Sequence, residues 1–186
     1  QIRELDRDKA KYILLSPVER ASRVIYLNKT CFNGLFRVNR AGQFNTPFGN
    51  YKNPNIVNEE TLRAVSEYFN KANISFYNKD YAEVLKAARK GAFVYLDPPY
   101  DPVSDTSSFT GYDKSGFNKE EQFRLKHTCD TLNKKGISFL LSNSATDFIF
   151  ELYKDYKIEV IKAKRVINSR PDKRGEIDEV LVRNFE

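Results

Sequence analysis

The sequence contains no methionine and has little histidine, cysteine or glycine. Its single histidine, His127, lies in a charged stretch predicted to be helical, so catalysis by a Ser/His/Asp or Cys/His triad is not expected. Cys31 and Cys129 lack the C-x-x-C spacing of a zinc site, and two cysteines do not make a disulfide framework. These absences argue against metal binding and against chemistry based on histidine or cysteine.

The absence of methionine also bears on where the chain begins. A complete cytosolic chain starts with methionine, and Gln1 is too large for the usual removal of that residue. We therefore expect that Gln1 is not the natural start and that an N-terminal portion is missing. The sequence has no run of 18 apolar residues and no signal-peptide pattern, which predicts a cytoplasmic protein without a membrane anchor.

Length and charge set the broad class. The chain has 186 residues, 40% of them hydrophobic, which suits one domain with a small appended subdomain. The net charge is +6 and the isoelectric point is about 9.2. A basic excess of this size favours a polyanionic partner such as nucleic acid.

The order of predicted elements indicates an α/β fold. Helices are predicted over 1–15, 17–28, 58–70, 81–90, 118–135 and 145–154, and strands over 74–77, 93–96, 137–141, 157–166 and 176–184. From residue 74 onward the alternation predicts parallel strands closed by an antiparallel hairpin, as in the C-terminal part of a Rossmann-like sheet. We expect two domains, 1–70 and 71–186. No G-x-G-x-x-G loop occurs, so the first half of such a fold, which normally carries the glycine-rich cofactor loop, is not expected here.

The most informative segment is Asp97-Pro98-Pro99-Tyr100, which follows the apolar strand 93–96. Two prolines end the strand because neither can donate to the sheet and each restricts the residue before it. The result is a stiff loop at the carboxyl end of a strand, where open α/β sheets bind ligands. Its carboxylate, fixed carbonyls and aromatic ring are suited to hold a planar amine.

This loop, with Thr106, Phe109 and Tyr112 after it, resembles the DNA adenine-N6 methyltransferases of the Dam and DpnII type. Two earlier blocks, Phe32-Asn33-Gly34-Leu35-Phe36-Arg37 and Phe44-Asn45-Thr46-Pro47-Phe48-Gly49, carry the same resemblance, which covers essentially the whole chain. It implies methylation of adenine in GATC, with S-adenosylmethionine as the cofactor and double-stranded DNA as the partner. The family's FxGxG cofactor loop is missing from this sequence.

Adenine N6 is a poor nucleophile because its lone pair is delocalised into the ring. Accepting its two hydrogens at the Asp97 carboxylate and the Pro98 carbonyl favours a tetrahedral nitrogen, and the methyl group then passes directly without a metal. A base in a duplex must first flip out, and Tyr100 is the candidate platform for stacking. The predicted catalytic residues are therefore Asp97, Pro98, Pro99 and Tyr100.

The resemblance also implies that Asp80 and Tyr81, together with Asp97, bind the cofactor. The alternative for Asp80 is an ordinary helix N-cap. Asn143 is predicted either to line the pocket or to cap a turn.

The turn-rich stretch 29–56 is the predicted DNA-recognition part of the first domain. An arginine on a loop commonly reads guanine, and leucine or proline can contact a thymine methyl group. By the resemblance, Phe32 wedges into the opened duplex and Asn33 supports it. The full predicted DNA-binding set is Phe32, Asn33, Leu35, Arg37, Asn39, Pro47, Tyr51 and Lys52.

Simpler interpretations compete with several of these roles. Phe36, Phe44 and Phe48 are predicted to form the core of the small domain rather than to contact DNA. The basic loop with Arg165, Arg170, Lys173 and Arg174 is either a phosphate contact or a solvated face.

Two alternatives to adenine methylation stay open: methylation of another planar amine, such as cytosine N4 or an RNA base, and DNA binding without turnover. The sequence leaves the oligomeric state unknown.

Overall fold

The computed structural model of the chain describes residues 2–103, 117–164 and 176–186. It divides into two units, Gln1–Phe76 and Tyr77–Glu186, which are described separately below. Two groups of residues discussed above lie outside the described ranges: Thr106, Phe109 and Tyr112, and the basic loop residues Arg165, Arg170, Lys173 and Arg174.

Four main helical segments build the first unit. They are a 3-10 helix, Ile2–Arg7, and three α-helices, α1 (Lys9–Leu14), α2 (Pro17–Thr30) and α3 (Glu59–Lys71). The single helix predicted over 1–15 is therefore two pieces. The break falls at Asp8, whose side chain accepts a hydrogen bond from the Lys11 backbone nitrogen at 3.1 Å and caps α1.

A capping box begins α2. The Ser16 hydroxyl accepts from the Glu19 backbone nitrogen at 3.2 Å, and the Glu19 carboxylate accepts from the Ser16 nitrogen at 2.8 Å. Two backbone donors at the helix start are thereby satisfied. The Asn58 side chain caps α3 in the same way, through the Thr61 nitrogen at 3.3 Å.

Between α2 and α3 the chain has little regular structure. A short 3-10 helix, Phe32–Gly34, and isolated bridges that pair Cys31 with Phe48 and residue 38 with Phe44 organise it. Leu27, Cys31 and Phe44 form the buried cluster of this unit. The core prediction is thus confirmed for Phe44. It is wrong for Phe48, which is 54% exposed. It is also wrong for Phe36, because this ring is 46% exposed although one side of it contacts Phe44.

The second unit contains one four-stranded sheet in the order β1-β2-β4-β3. Its strands are β1 (Phe93–Leu96), β2 (Ser138–Ser144), β3 (Lys157–Lys164) and β4 (Glu176–Arg183). β1 and β2 are parallel, while β4 runs antiparallel to both β2 and β3. Two of the three expected parallel strands and the closing antiparallel hairpin are present in this mixed α/β unit.

The strand predicted at 74–77 is absent. This segment makes no strand pairing in the described part of the chain, and Phe76 and Tyr77 expose 73% and 63% of their surface. An apolar run forms a strand only where a neighbouring strand can accept its backbone hydrogen bonds.

Strand β2 also differs from its prediction. It extends through Ser144, three residues beyond its predicted end, because these residues pair with β4.

Three helices pack with this sheet: α4 (Tyr81–Leu85), α5 (Lys119–Lys134) and α6 (Asp147–Leu152). Helix α4 is shorter than predicted, whereas α5 agrees with the prediction from its Asn118 cap. Leu125, Cys129 and Leu132 recur at spacings of four and three along α5, and they join buried side chains of β2 and β4 in the core. No helix among the described residues is long and apolar enough to span a membrane.

Candidate active site

The Asp97–Tyr100 loop leaves β1 at the sheet edge where β2 also ends. Because β1 and β2 are parallel, their carboxyl ends lie side by side. The Ser142 hydroxyl donates to Oδ1 of Asp97 at 3.0 Å and lies 3.2 Å from the Tyr95 hydroxyl. Among the described residues, Oδ2 of Asp97 has no hydrogen-bond partner. One carboxylate oxygen is therefore oriented by the sheet, and the other is available to a ligand.

A cavity of about 320 Å³ opens at this loop. It combines the Asp97 carboxylate with aromatic and apolar walls, the composition typical of a small-molecule site. Its lining residues are Tyr81, Tyr95, Leu96, Asp97, Pro98, Pro99, Phe117 and Leu125. The structure thus brings three of the four predicted catalytic residues and Tyr81 to one cavity.

Tyr100 follows the cavity-lining prolines and is partly buried. Burial raises the pKa of the Tyr100 phenol, and a hydrogen bond with Ser142 acts in the opposite direction. The phenol is therefore neutral in the pH range where proteins are stable, and its ring is an uncharged surface for stacking.

Asp80 serves as the N-cap of α4, accepting from the Ala82 nitrogen at 2.9 Å. Its two carboxylate oxygens also accept from Arg124 at 3.1 and 2.9 Å, and Arg124 bonds Glu121 as well. These hydrogen bonds from Arg124 lower the pKa of Asp80. The N-cap interpretation is confirmed, while the cofactor role of Asp80 stays a prediction.

Asp80 and Tyr81 are adjacent in sequence but line different cavities. Asp80 lies on a concavity of about 650 Å³ that also includes Tyr77, Lys79 and Glu83. Tyr81 faces the cavity that contains Asp97. The structure therefore separates two side chains that the sequence grouped at one cofactor site.

Tyr81 has an unusual environment. The Arg124 guanidinium lies 4.4 Å from the centroid of its ring, and burial raises the pKa of its phenol to about 12. The Tyr81 hydroxyl is buried without a hydrogen-bond partner among the described residues. A buried, unpaired hydroxyl beside an aromatic and carboxylate-lined cavity suits a polar ligand that can complete its bonding. This observation fits the expected S-adenosylmethionine.

Several residues of this site could not be identified from the sequence. Ser142 becomes a neighbour of Tyr95 and Asp97 only through strand pairing, and Arg124 reaches Asp80 across 44 residues. Asn143 lies inside β2 and is fully buried, so it is not a turn cap. Phe117 joins the cavity from the segment before α5. The predicted parallel pairing of the two strands places the end of β2 near the loop, but it does not identify Ser142, which lies beyond the predicted strand end.

All eight predicted DNA-contacting residues lie in the first unit, and none of them is fully buried. Asn33 has φ 53°, a left-handed conformation that asparagine tolerates better than most residues. Those that are exposed to solvent are Phe32, Arg37, Asn39, Pro47, Tyr51 and Lys52, whereas Asn33 and Leu35 are half-buried.

Two of these residues are held by contacts within the hairpin of residues 37–47, in which residue 38 bridges to Phe44. Nε of Arg37 donates to Oδ1 of Asn45 at 2.8 Å, which orients an otherwise exposed guanidinium. Oδ1 of Asn39 accepts from the backbone nitrogens of Ala41 and Gln43, each at 3.0 Å. The Asn39 side chain therefore stabilises the turn, and a DNA contact by this residue stays a prediction.

The N-terminal 3-10 helix supports the same hairpin. Asp6 accepts from the Phe44 nitrogen at 2.6 Å, Arg7 donates to the Phe44 carbonyl at 2.7 Å, and Arg3 donates to the Thr46 carbonyl. Arg23 pairs with Asp6 at 3.1 Å. Arg23 is buried, Asp6 is half-buried and Arg7 is exposed. Their contacts fix the backbone that carries Arg37 and Pro47 on the surface.

The chain is similar to known proteins over most of its length. A family profile described as D12 class N6 adenine-specific DNA methyltransferase matches residues 2–167. A type II methyltransferase of Lactococcus lactis subsp. cremoris, M1.LlaDCHI, is 44% identical over 184 residues, covering 99% of this chain and 64% of the relative. M.MjaIII of Methanocaldococcus jannaschii is 44% identical over 170 residues, covering 90% and 58%.

The DNA adenine methylase of Escherichia coli K12 is 38% identical over 165 residues, covering 89% of this chain and 58% of that enzyme. The chain thus spans about three fifths of the length of these relatives. Separately, no group of three or more His, Cys, Asp or Glu side chains suited to a metal ion occurs within residues 2–103, 117–164 and 176–186.

Proposed function

Since this chain belongs to the D12 class of N6 adenine-specific DNA methyltransferases, we propose that the protein methylates adenine N6 in duplex DNA, at GATC, using S-adenosylmethionine. The observation that carries the proposal is the Asp97 carboxylate, anchored at Oδ1 by Ser142 with Oδ2 directed to no partner among the described residues. An anchored acceptor of this kind is what an amine substrate requires.

Asp97 and Pro98 act on the nitrogen through hydrogen bonds. Oδ2 of Asp97 accepts one N6 hydrogen, and the Pro98 carbonyl accepts the other. Together they favour a tetrahedral nitrogen, whose lone pair is localised on N6 and no longer delocalised into the ring. The extra proton on N6 after transfer leaves through the hydrogen bond with Asp97. Because the prolines and Ser142 hold both acceptors in place, little reorganisation is needed during the reaction.

Tyr100 and the first unit supply access to the base. The target adenine must leave the duplex before it can reach Asp97, and an aromatic face stabilises the extruded base. Phe32 and Asn33 open the duplex, while Arg37, Leu35 and Pro47 read the half-site and Tyr51 and Lys52 contact the backbone. The exposure of six of the eight predicted contact residues supports this assignment.

Tyr81 and Asp97 would hold the cofactor at the 320 Å³ cavity, with the Tyr81 hydroxyl as a hydrogen-bonding group and its ring as a wall. The cofactor supplies an electrophilic methyl group carried on a sulfonium. The phenol of Tyr81 stays protonated, because burial raises its pKa to about 12, and so it can act as a donor.

A methyl-transfer assay on the full-length protein tests the proposal. We expect labelled methyl groups to enter duplexes that contain GATC and not duplexes without it. Asp97→Asn keeps the shape but weakens the acceptor, so kcat should fall on the order of a hundredfold or more while DNA affinity stays within about threefold. Asp155→Asn, an exposed carboxylate of the same unit, is the matched control.

Other outcomes would replace the proposal. Product analysis that finds methyl groups on cytosine N4 or on RNA would change the substrate. Tight DNA binding without any transfer by the full-length protein would instead indicate a DNA-binding role. Transfer to GATC-free DNA at equal rates would contradict the assigned sequence specificity.

A further inference from the structure

Two buried amide side chains lie beside the Tyr100 segment. Gln122, in the first turns of α5, is 1% exposed, and Asn143, in β2, is fully buried. Nδ2 of Asn143 donates to Oε1 of Gln122 at 3.2 Å. We call Gln122 and Asn143 the amide pair. Neither residue lines the cavity that contains Asp97.

The amide pair binds the two peptide groups that flank Tyr100. Nε2 of Gln122 donates to the Pro99 carbonyl at 3.1 Å, and Oδ1 of Asn143 accepts from the Asp101 nitrogen at 2.9 Å. The Pro99 carbonyl belongs to the peptide plane before Tyr100, and the Asp101 nitrogen belongs to the plane after it. Because peptide groups are planar, holding both planes defines φ and ψ of Tyr100.

The hydrogen bonds permit only one orientation of the two amides. Oδ1 of Asn143 accepts from the backbone nitrogens of both Asp101 and Ser144, each at 2.9 Å, so this atom must be the oxygen. Nδ2 of Asn143 then faces Oε1 of Gln122, which leaves Nε2 of Gln122 as the donor to Pro99. A buried network with all these contacts satisfied specifies a single geometry.

The Asp101 side chain adds a further anchor. Its carboxylate accepts from the Thr146 hydroxyl at 2.7 Å, and the same Thr146 side chain caps α6. The residue after Tyr100 is therefore held through its backbone by β2 and through its side chain by the start of α6. The loop is therefore held at its C-terminal end, at Asp101, as well as at its two prolines.

We propose that Gln122 and Asn143 are positioning residues that set the backbone of Tyr100 and thereby the direction of its ring. The inference rests on the proposed function, in which that ring stacks on the flipped adenine. The amide pair acts through Tyr100 and makes no contact with substrate itself. Its loss misdirects the stacking surface, and misplacement by about 1 Å can cost on the order of a hundredfold in rate.

Two variants of Gln122 in the full-length protein separate this role from general stability. Gln122→Glu keeps the volume and the acceptor for Asn143, but it sets a carboxylate oxygen against the Pro99 carbonyl. Gln122→Met removes both hydrogen bonds. Glu120→Gln, an exposed change on the same helix, is the control.

Hydrogen exchange is the first measurement, because it does not depend on activity. In both Gln122 variants, amides within 97–103 should exchange at least about tenfold faster than in the wild type, with α6 and the rest of the sheet unchanged. Unchanged exchange in 97–103 overturns the inference. Faster exchange throughout the second unit also overturns it, since that result would show that Gln122 stabilises the whole unit rather than the Tyr100 segment.

The second measurement is methyl-transfer kinetics. It compares the effect of Gln122→Glu in the wild type with its effect in a protein that also carries Tyr100→Ala. Gln122→Glu should lower kcat about tenfold with KM for S-adenosylmethionine within about twofold, and it should add no further loss in the Tyr100→Ala background. An equal loss in both backgrounds overturns the inference. If the wild type methylates no adenine, the proposed function fails, whereas the exchange data still decide whether the amide pair orders Tyr100.

Discussion

The Ser142 hydroxyl donates a 3.0 Å hydrogen bond to Oδ1 of Asp97, joining residues that lie 45 positions apart in the chain. The contact exists because β1 and β2 are parallel neighbours and β2 continues through Ser144. It orients one carboxylate oxygen and leaves the other able to accept a hydrogen bond from a ligand. Ser142 is therefore as much a part of the candidate site as the proline loop.

Ser142→Ala should slow methyl transfer without weakening DNA binding. The hydroxyl contacts a carboxylate, and a hydrogen bond to a charged group contributes about 1.5–3 kcal/mol, so kcat should fall on the order of tenfold or more. Steady-state kinetics and a DNA-binding titration measure the two effects. Ser138→Ala, at the other end of β2, is the control, and an unchanged kcat for Ser142→Ala would contradict the role.

Arg37→Ala should relax sequence discrimination. An arginine that reads guanine contributes about 1–3 kcal/mol of discrimination at one base pair. Binding to a set of duplexes, each with one GATC position changed, measures the effect. Lys52→Ala provides the contrast. If Lys52 contacts the DNA backbone, its loss should weaken binding to all duplexes alike and reduce the slope of the salt dependence of binding by about one. A uniform loss for Arg37→Ala would mark it as a phosphate contact.

The local elements of the fold could be predicted from the sequence, because their signals lie within a few residues. The Ser16 capping box, the Asn58 cap and the apolar spacing along α5 each determine a helix by short-range contacts. The strand predicted at 74–77 was wrong because a strand requires a partner, which no local pattern reveals. The polar end of β2 looked like a loop for the same reason.

The candidate site was predictable only in part. The Asp97–Tyr100 loop could be found because two prolines define its shape locally. Ser142 and Gln122 could not, since their roles depend on strand pairing and on the packing of α5 against the sheet. A buried glutamine in a charged helix has the same sequence signature as a surface residue. The support that Asp6 gives to the hairpin of residues 37–47 was hidden in the same way.

Removing Arg124 should change the titration of Asp80. Hydrogen bonds from Arg124 lower the pKa of Asp80 below its ordinary value of 3.8. A carboxyl group with a lowered folded-state pKa stabilises the fold above its unfolded-state pKa, and this contribution is lost as the pH falls through the folded-state pKa. Arg124→Gln should therefore raise the pKa of Asp80 and destabilise the protein at neutral pH.

Carboxyl carbon NMR reports the titration of Asp80, and urea unfolding reports the stability. The stability difference between the wild type and Arg124→Gln should shrink in strong acid, where Asp80 is protonated in both. Lys86→Gln, which disturbs only an exposed pair with Glu83, is the control. A titration of Asp80 that is the same in both proteins would contradict the assigned cause.

Arg23→Met should strongly destabilise the first unit. Arg23 is 4% exposed, pairs with Asp6 at 3.1 Å and donates to the Ile2 and Arg3 carbonyls. Removing one partner of a buried ion pair typically costs about 3–5 kcal/mol because the other charge stays buried. Urea unfolding measures the loss. Lys71→Met breaks an exposed pair with Glu67 and should cost no more than about 1 kcal/mol, so similar losses would contradict the argument.

Both thiols should be unreactive in the folded protein. Cys31 and Cys129 are fully buried, and burial raises the pKa of both, that of Cys129 to about 12. Because the thiolate is the reactive form, only a very small fraction of Cys129 can react in mildly alkaline buffer. A thiol-specific chromogenic reagent should therefore label neither cysteine quickly until denaturant is added, after which both should react. Cys31→Ser assigns the signal to its residue, and rapid labelling of the native protein would contradict the buried positions of these thiols.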